Sequence, residues 1–219
     1  MNRLAVFDCD GTLVDSQGTI CDAIARGFAA CAMPAPSRAA SRNIIGLSLG
    51  EAMQALHPGG SAADHDALVT AYKTAFFDMR AGGLAHEPLY DGIARAIVDL
   101  EANGWLLGVA TGKSDRGLTH ILEHHGLHPR FVTLQTADRH PSKPHPAMLD
   151  QAMADAGAGP GTTVMIGDTS YDMLMAKAAG AWAVGVAWGY HDEAVLRGAG
   201  ADDVVRDAAD LVAALEALV

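Results

Sequence analysis

Apolar positions fall into two different rhythms along this chain. A compact run, Leu4-Ala5-Val6-Phe7, follows polar Asn2 and Arg3 and predicts a buried strand. After Ser16 the rhythm becomes helical. Ile20, Ile24 and Phe28 recur every four residues beside Ala23, Gly27 and Cys31, giving one apolar face as far as Met33. Pro34-Ala35-Pro36 ends that helix. Arg38, Arg42 and Asn43 lead through Ile44-Ile45-Gly46-Leu47 to Ser48, which with Glu51 predicts a capping box and a helix carrying Leu49, Met53 and Leu56. His57-Pro58-Gly59-Gly60 interrupts, and Leu68, Tyr72, Phe76 and Met79 mark a third helix from Ala62 to Arg80.

Strand and helix then alternate. Ile93, Ile97 and Leu100 mark a helix ending near Asn103-Gly104, and Trp105 to Ala110 is an apolar strand running into Thr111-Gly112-Lys113-Ser114. A helix with Leu118, Ile121 and Leu122 stops at Gly126, and Phe131 to Leu134 forms a weaker strand. Ser142-Lys143-Pro144-His145-Pro146 precedes a helix with Met148, Leu149, Ala152 and Met153. Thr162 to Ile166 is a strand ending in Gly167-Asp168, followed by a helix from Tyr171 to Ala179. Trp182 to Val186 and Val204-Val205 are strands, and Leu211, Leu215 and Leu218 close the chain on a helix. Short links between alternating elements predict a parallel sheet covered on both faces. The expected fold is α/β, a Rossmann-like doubly wound parallel sheet formed by residues 1–15 and 85–219. Residues 16–84 form an inserted α-helical subdomain, with Gly82-Gly83 as a hinge.

Bulk properties narrow the function. The 219 residues suffice for a full core, and half of them are hydrophobic. No apolar run approaches the roughly 20 residues of a membrane span, and no signal peptide is evident, so the expected location is the cytoplasm. A net charge of −11 argues against nucleic acid or an anionic membrane as partner. Any phosphate site in so acidic a chain needs a local cation. Cys9, Cys21 and Cys31 form neither a disulfide framework nor a Cys-x-x-Cys metal site. Cys9 lies between two acids, but strand alternation turns its side chain into the core.

Those acids head the chemistry. Phe7-Asp8-Cys9-Asp10-Gly11-Thr12-Leu13 sets two carboxylates where the first strand leaves the sheet, the edge at which open α/β sheets bind ligands. Taken alone, such a stretch could be a polar turn. Thr111, Lys143, and Asp168 with Asp172 follow later strands and should gather at the same edge. A carboxylate can attack phosphorus, a second acid two residues on can protonate the leaving alkoxide, and a lysine and hydroxyl can hold phosphoryl oxygens. Carboxylates at two strand ends make an oxygen site suited to Mg²⁺.

Phe7-Asp8-Cys9-Asp10-Gly11-Thr12-Leu13, Ala110-Thr111-Gly112, Lys143-Pro144-His145-Pro146 and Gly167-Asp168-Thr169-Ser170-Tyr171-Asp172 occur in order. Together they resemble the four motifs of haloacid dehalogenase superfamily phosphatases, specifically the phosphoglycolate-phosphatase-like members with a helical cap. The resemblance implies Asp8 as nucleophile, Asp10 as general acid and base, and Lys143 as the group that neutralises the intermediate. It implies that Thr111 and Gly112 bind substrate. It further implies Mg²⁺ held by Asp8, the main-chain carbonyl of Asp10, and Asp168, with Asp172 behind them orienting Lys143 or a metal-bound water. True dehalogenases lack the second acid of the first motif, so Asp10 speaks for phosphoryl chemistry. The expected activity is Mg²⁺-dependent hydrolysis of a small phosphomonoester, phosphoglycolate by resemblance. A phosphosugar mutase of the β-phosphoglucomutase kind is the alternative. Those relatives carry Arg after the cap-loop Gly-x-Ser, where this chain has Leu49. A non-catalytic binding protein would lack a catalytic residue, and none is missing.

Other features read more plainly. Lys143 alone could be a surface lysine, and Asp172 a first-turn acid favouring its helix dipole. His120, His124 and His128 at four-residue spacing suggest a solvated polar face rather than a metal face. Trp188-Gly189-Tyr190 reads as packing near the site rim. Arg38 and Arg42 read as surface charges of the helical segment, with one of them in possible reach of substrate.

Overall fold

The computed structural model describes residues 1–219. Its central strand is β1 (Asn2–Phe7), buried on both faces: Ala5 and Phe7 enter one core cluster, Leu4 and Val6 the other. Five strands join it: β2 (Trp105–Thr111), β3 (Phe131–Thr136), β4 (Ala158–Gly167), β5 (Trp182–Val186) and β6 (Asp203–Val205). All pairings are parallel, in the order β3-β2-β1-β4-β5-β6. The chain builds outward from β1 to β3, returns to β4 beside β1, and builds outward the other way. β1 and β4 therefore flank the switch point, where doubly wound sheets bind ligands at their carboxyl ends. The α/β architecture expected from the alternation is the one observed.

Helices cover both faces, as the continuous apolar strands require. α5 (Ile93–Ala102), α6 (Asp115–His124) and α10 (Leu211–Glu216) bury Ile93, Ile97, Leu118, Ile121, Leu211 and Leu215 in the cluster of Phe7. α7 (Ala147–Ala156), α8 (Ser170–Ala178) and α9 (Glu193–Gly198) bury Met148, Leu149, Met173 and Leu196 in the cluster of Val6. Each such side chain, fully buried, contributes about 1.5–3 kcal/mol. Cys9 is fully buried with Phe7, as strand alternation predicts.

Between β1 and α5 run α1 (Gln17–Ala30), α2 (Arg38–Asn43), α3 (Leu49–Leu56) and α4 (Ala62–Ala81). They enclose a separate apolar cluster of Ile20, Ile24, Phe28, Ile45, Met53 and Leu68, joined by Tyr190 from beyond β5. The helical stripes of the sequence thus pack chiefly on one another, and Tyr190 ties them to the sheet.

Several local expectations differ from the structure. Neither α2 nor α9 was expected; at six residues each is under two turns, too short for a periodic stripe to declare it. α1 stops at Ala30, short of Met33, and Ala32 takes a left-handed φ of 54°. β4 begins at Ala158 because Asn2 pairs with Ala158 before the register shifts to Leu4 opposite Thr163. The capping box at Ser48 does not form. The Ser48 amide that Glu51 would have to bind donates instead to Ser142 Oγ at 2.8 Å. Gly83, half of the expected hinge, takes a φ of +68°, and the following Leu84 amide donates to Met79 O at 2.8 Å, so the pair ends α4.

Candidate active site

The first-strand motif leaves the sheet one residue after β1. The Asp8 amide still donates to Ile166 O of β4 at 2.9 Å, which fixes Asp8 at the switch point. The chain then turns tightly, with the Leu13 and Val14 amides both donating to Cys9 O. Gly11 adopts a φ of +85°, and a β-carbon there would lie 2.1 Å from Asp168 Oδ2. Only glycine lets this turn and Asp168 approach so closely.

Asp168 follows β4 directly and is held at both oxygens. Thr12 Oγ1 donates to Oδ1 at 3.0 Å, and the Tyr190 amide donates to Oδ2 at 2.9 Å. Asp172 sits in the first turn of α8. One of its oxygens closes a capping box, accepting from Thr169 N at 3.1 Å and Thr169 Oγ1 at 2.7 Å. The other accepts from Lys143 Nζ at 2.5 Å. The same ammonium lies 2.9 Å from Asp8 Oδ1. Lys143 is therefore no surface lysine: its exposure is 0 %, as is that of Asp8, Asp168 and Asp172. Asp172 both caps its helix and orients Lys143.

Oxygens of Asp8, Asp168 and Asp172 come within 4.8 Å of one another. One ammonium cannot balance three buried carboxylates. Burial, with the charge of Asp172, pushes the Asp8 carboxyl up to about 7 against the pull of Lys143. Burial, then Asp8 and Asp172, raises Asp168 well above the ordinary carboxylate range. Burial alone would lower the Lys143 ammonium, but Asp172 and Asp8 overcome it and hold the charge on the lysine. Asp8 differs from its neighbours in one respect: no hydroxyl or amide donates to either of its buried oxygens, and Lys143 is its one close partner.

Asp10 points elsewhere. Its carboxylate lies 2.8 Å from Lys113 Nζ and accepts from Ser16 Oγ, outside the three-acid cluster. Any part of Asp10 in binding a metal with these acids is thus confined to its carbonyl. Lys113, 10 % exposed, also reaches Glu87 at 3.4 Å, and Glu87 pairs with Arg80 at 2.6 Å. Burial pushes the Glu87 carboxyl up, but Lys113 and Arg80 together bring it below its ordinary value. Thr111 ends β2, buried, its Oγ1 accepting from the Lys113 amide at 3.3 Å. A β-carbon on Gly112 would lie 2.4 Å from Leu47 O and 2.8 Å from Gly46 O. The loop between α2 and α3 therefore rests on this site.

The structure brings Asp8, Lys143, Asp168 and Asp172 together, with Asp10 beside them in a second charge group. Arg38 is exposed and paired with Asp22 at 2.6 Å, while Arg42 donates to Tyr190 O. His120, His124 and His128 are exposed and form no metal-binding group. Sequence reasoning missed Thr12, Lys113, Glu87 and Tyr190. Trp188-Gly189-Tyr190 does more than pack: Trp188 Nε1 donates to Thr12 O at 3.2 Å, and the Tyr190 amide positions Asp168. Lys113 was visible two residues beyond Thr111, and Thr12 and Tyr190 stood in motifs without these roles; nothing local marked Glu87.

The model of the haloacid dehalogenase-like hydrolase family matches residues 5–186. A probable phosphatase, IndB, of Dickeya dadantii is 37 % identical over 100 % of this chain and 95 % of its own length. A phosphoglycolate phosphatase of Mesorhizobium japonicum is 30 % identical, over 88 % of this chain and 86 % of its own. In fold, the chain is similar to the crystal structure of a predicted phosphatase from Clostridium acetobutylicum, with a TM-score of 0.88, 24 % identity and full coverage of both chains. No helix is long and apolar enough to cross a membrane. With the motif residues gathered at the switch point, these likenesses establish that the chain belongs to the haloacid dehalogenase-like hydrolases and is a phosphatase of the phosphoglycolate-phosphatase type.

Proposed function

We propose that this phosphatase hydrolyses phosphomonoesters of small molecules through an aspartyl phosphate on Asp8, with Mg²⁺ as its cation. Residues 16–84 act as a cap over a core of residues 1–15 and 85–219. The observation that carries this reading is the state of Asp8, a buried carboxylate at the switch point whose one close polar neighbour is the Lys143 ammonium, 2.9 Å from Oδ1. The second oxygen, Oδ2, has no donor and keeps its lone pairs for attack.

The donor set fits a hard divalent cation. Three buried carboxylates exceed the one ammonium that faces them, and Mg²⁺ prefers one or two carboxylates with waters and phosphate oxygens. Asp8, Asp168 and the Asp10 carbonyl would hold it, with Asp172 behind them because its charge is already paired with Lys143 at 2.5 Å. When bound, the cation would neutralise charge on the phosphoryl oxygens.

Asp8 attacks phosphorus and the ester P–O bond breaks. Asp10 gives a proton to the departing alkoxide and later takes one from the water that releases phosphate from Asp8. Lys113, beside Asp10, stabilises its carboxylate between those steps. Lys143 offsets the charge that builds on the transferring group, and Asp172 keeps the ammonium in place. Thr111 and Gly112 bind the phosphoryl group from the end of β2, and the loop from Gly46 to Ser48 excludes water above it. Phosphoglycolate is the ester that the name of one relative suggests.

Release of phosphate from a panel of phosphorylated metabolites, with and without Mg²⁺, tests the reaction. Mass spectrometry of protein quenched during turnover should find the phosphoryl group on Asp8. Labelling elsewhere, or full turnover after thorough chelation, overturns the corresponding assignment.

A further inference from the structure

Between the helices α1–α4 and the carboxyl edge of the sheet lies a cavity of about 840 Å³. It begins at Asp10, the acid placed to protonate the departing alcohol, with Gly112 and Lys113 alongside. Ile20, Ile24, Ile45, Val69, Tyr72 and Phe76 form its apolar walls, and half of its lining residues are hydrophobic. Space of this order suits a drug-sized ligand, for which pockets run about 300–1,000 Å³. A two-carbon acid would leave most of it empty.

The two layers already touch on either side of this space. The Ser48 amide donates to Ser142 Oγ at 2.8 Å, and the Gly46 and Leu47 carbonyls crowd Gly112. From the far end of α4, Arg80 reaches Lys113 through Glu87.

Charge matching points the same way. Lys113, the cation beside Asp10, is balanced by Asp10 at 2.8 Å and Glu87 at 3.4 Å, and Arg80 is balanced by Glu87 at 2.6 Å. Lys73 and Arg116 also line the cavity and have no carboxylate partner, but both are exposed to solvent. A leaving group carrying its own carboxylate next to Asp10 would have to compete with Glu87 for Lys113 and Arg80.

We propose that the preferred substrate is the phosphomonoester of a bulky, largely apolar alcohol whose hydrocarbon part fills this cavity, and that phosphoglycolate is a poor substrate. This rests on the phosphatase reaction proposed above. The ester P–O bond breaks, the alcohol leaves with a proton from Asp10, and water supplies the oxygen that completes inorganic phosphate.

The test compares phosphate release by the wild-type protein with Mg²⁺ from ethyl phosphate, phosphoglycolate and 3-phenylpropyl phosphate. The ethyl and phenylpropyl alcohols are similar in acidity, so their ratio reports recognition more than intrinsic reactivity. kcat/KM for the phenylpropyl ester should exceed both others by about tenfold or more. Val69→Trp, which sets an indole into the cavity, should return the phenylpropyl-to-ethyl ratio toward one. Phosphoglycolate turned over as well as the phenylpropyl ester overturns this inference and leaves the phosphatase reading intact. Release from no ester overturns both. A ratio unmoved in folded Val69→Trp protein overturns the cavity's role. If that variant does not fold, the wild-type series decides alone.

Discussion

At the carboxyl edge of the sheet one ammonium, Lys143, faces three buried carboxylates, whereas beside it Lys113, with Arg80 from α4, is matched by Asp10 and Glu87. The first arrangement is short of positive charge, which is what the proposed cation would supply. The second is close to neutral and surrounded by isoleucine and aromatic side chains, so it is completed by an apolar group. On the reading proposed above, the three-acid cluster and the apolar cavity walls are suited to separate tasks, phosphoryl transfer and choice of leaving group. Changes in one should leave the character of the other recognisable.

The largest effect should come from the edge of the sheet. Asp8→Asn should lower kcat/KM by roughly 10⁵-fold while the circular-dichroism spectrum stays native. Activity within tenfold of wild type would remove Asp8 from the chemistry. Asp10→Asn should cost about 10²–10⁴-fold with alkyl phosphates and much less with aryl phosphates, whose leaving groups need no proton. Equal losses for both would make Asp10 structural.

In stability, the two charge groups should separate again. Lys143→Ala leaves Asp8 and Asp172 without their shared cation and should cost about 3–5 kcal/mol in urea unfolding. Arg80→Ala, at a half-buried pair, should cost about 1 kcal/mol or less. Comparable costs would erase the contrast.

The most discriminating contrast should lie in pH dependence. Folded Asp8 keeps its proton up to about 7, whereas the unfolded chain releases it near 3.8. Between those values the folded state binds the extra proton, so without metal this residue's contribution to stability falls as pH rises and is gone above about 7. Glu87 has the opposite sign. Its folded carboxyl lies below the ordinary 4.5, so its contribution is present above that value and is lost as pH falls. Thermal midpoints of metal-free protein should show both slopes, with Asp8→Asn flattening the first and Glu87→Gln the second. Mg²⁺ should oppose the first slope alone.

Much of this could be read from the chain because its signals are local. The apolar run of β1, the helical stripes of α1 and α4, and the strand-to-acid junctions at Asp8 and Asp168 each lie within a dozen residues. Lys143 and Asp172 were legible only as parts of motifs, since neither residue alone announces burial. What escaped depends on partners distant in sequence. Ser48 lost its capping box because its amide found Ser142, and Tyr190 holds Asp168 through a backbone amide, a role its side chain does not declare. Glu87 owes its place to Lys113 and Arg80, a pairing that no periodicity encodes.

The hold of Trp188 and Tyr190 on the first loop has a consequence for the growing chain on the ribosome. Thr12 meets Asp168 across 156 positions, Ser16 meets Tyr190 across 174, and Thr12 meets Trp188 across 176. The acids of β1 are among the first residues made, yet the groups that fix them arrive only when most of the polypeptide has been synthesised. Contacts so far apart close late and slow the final folding step. Until then the nascent protein carries its reactive carboxylates unassembled, so the capacity to cleave esters should appear abruptly, once the turn after β5 has emerged and docked.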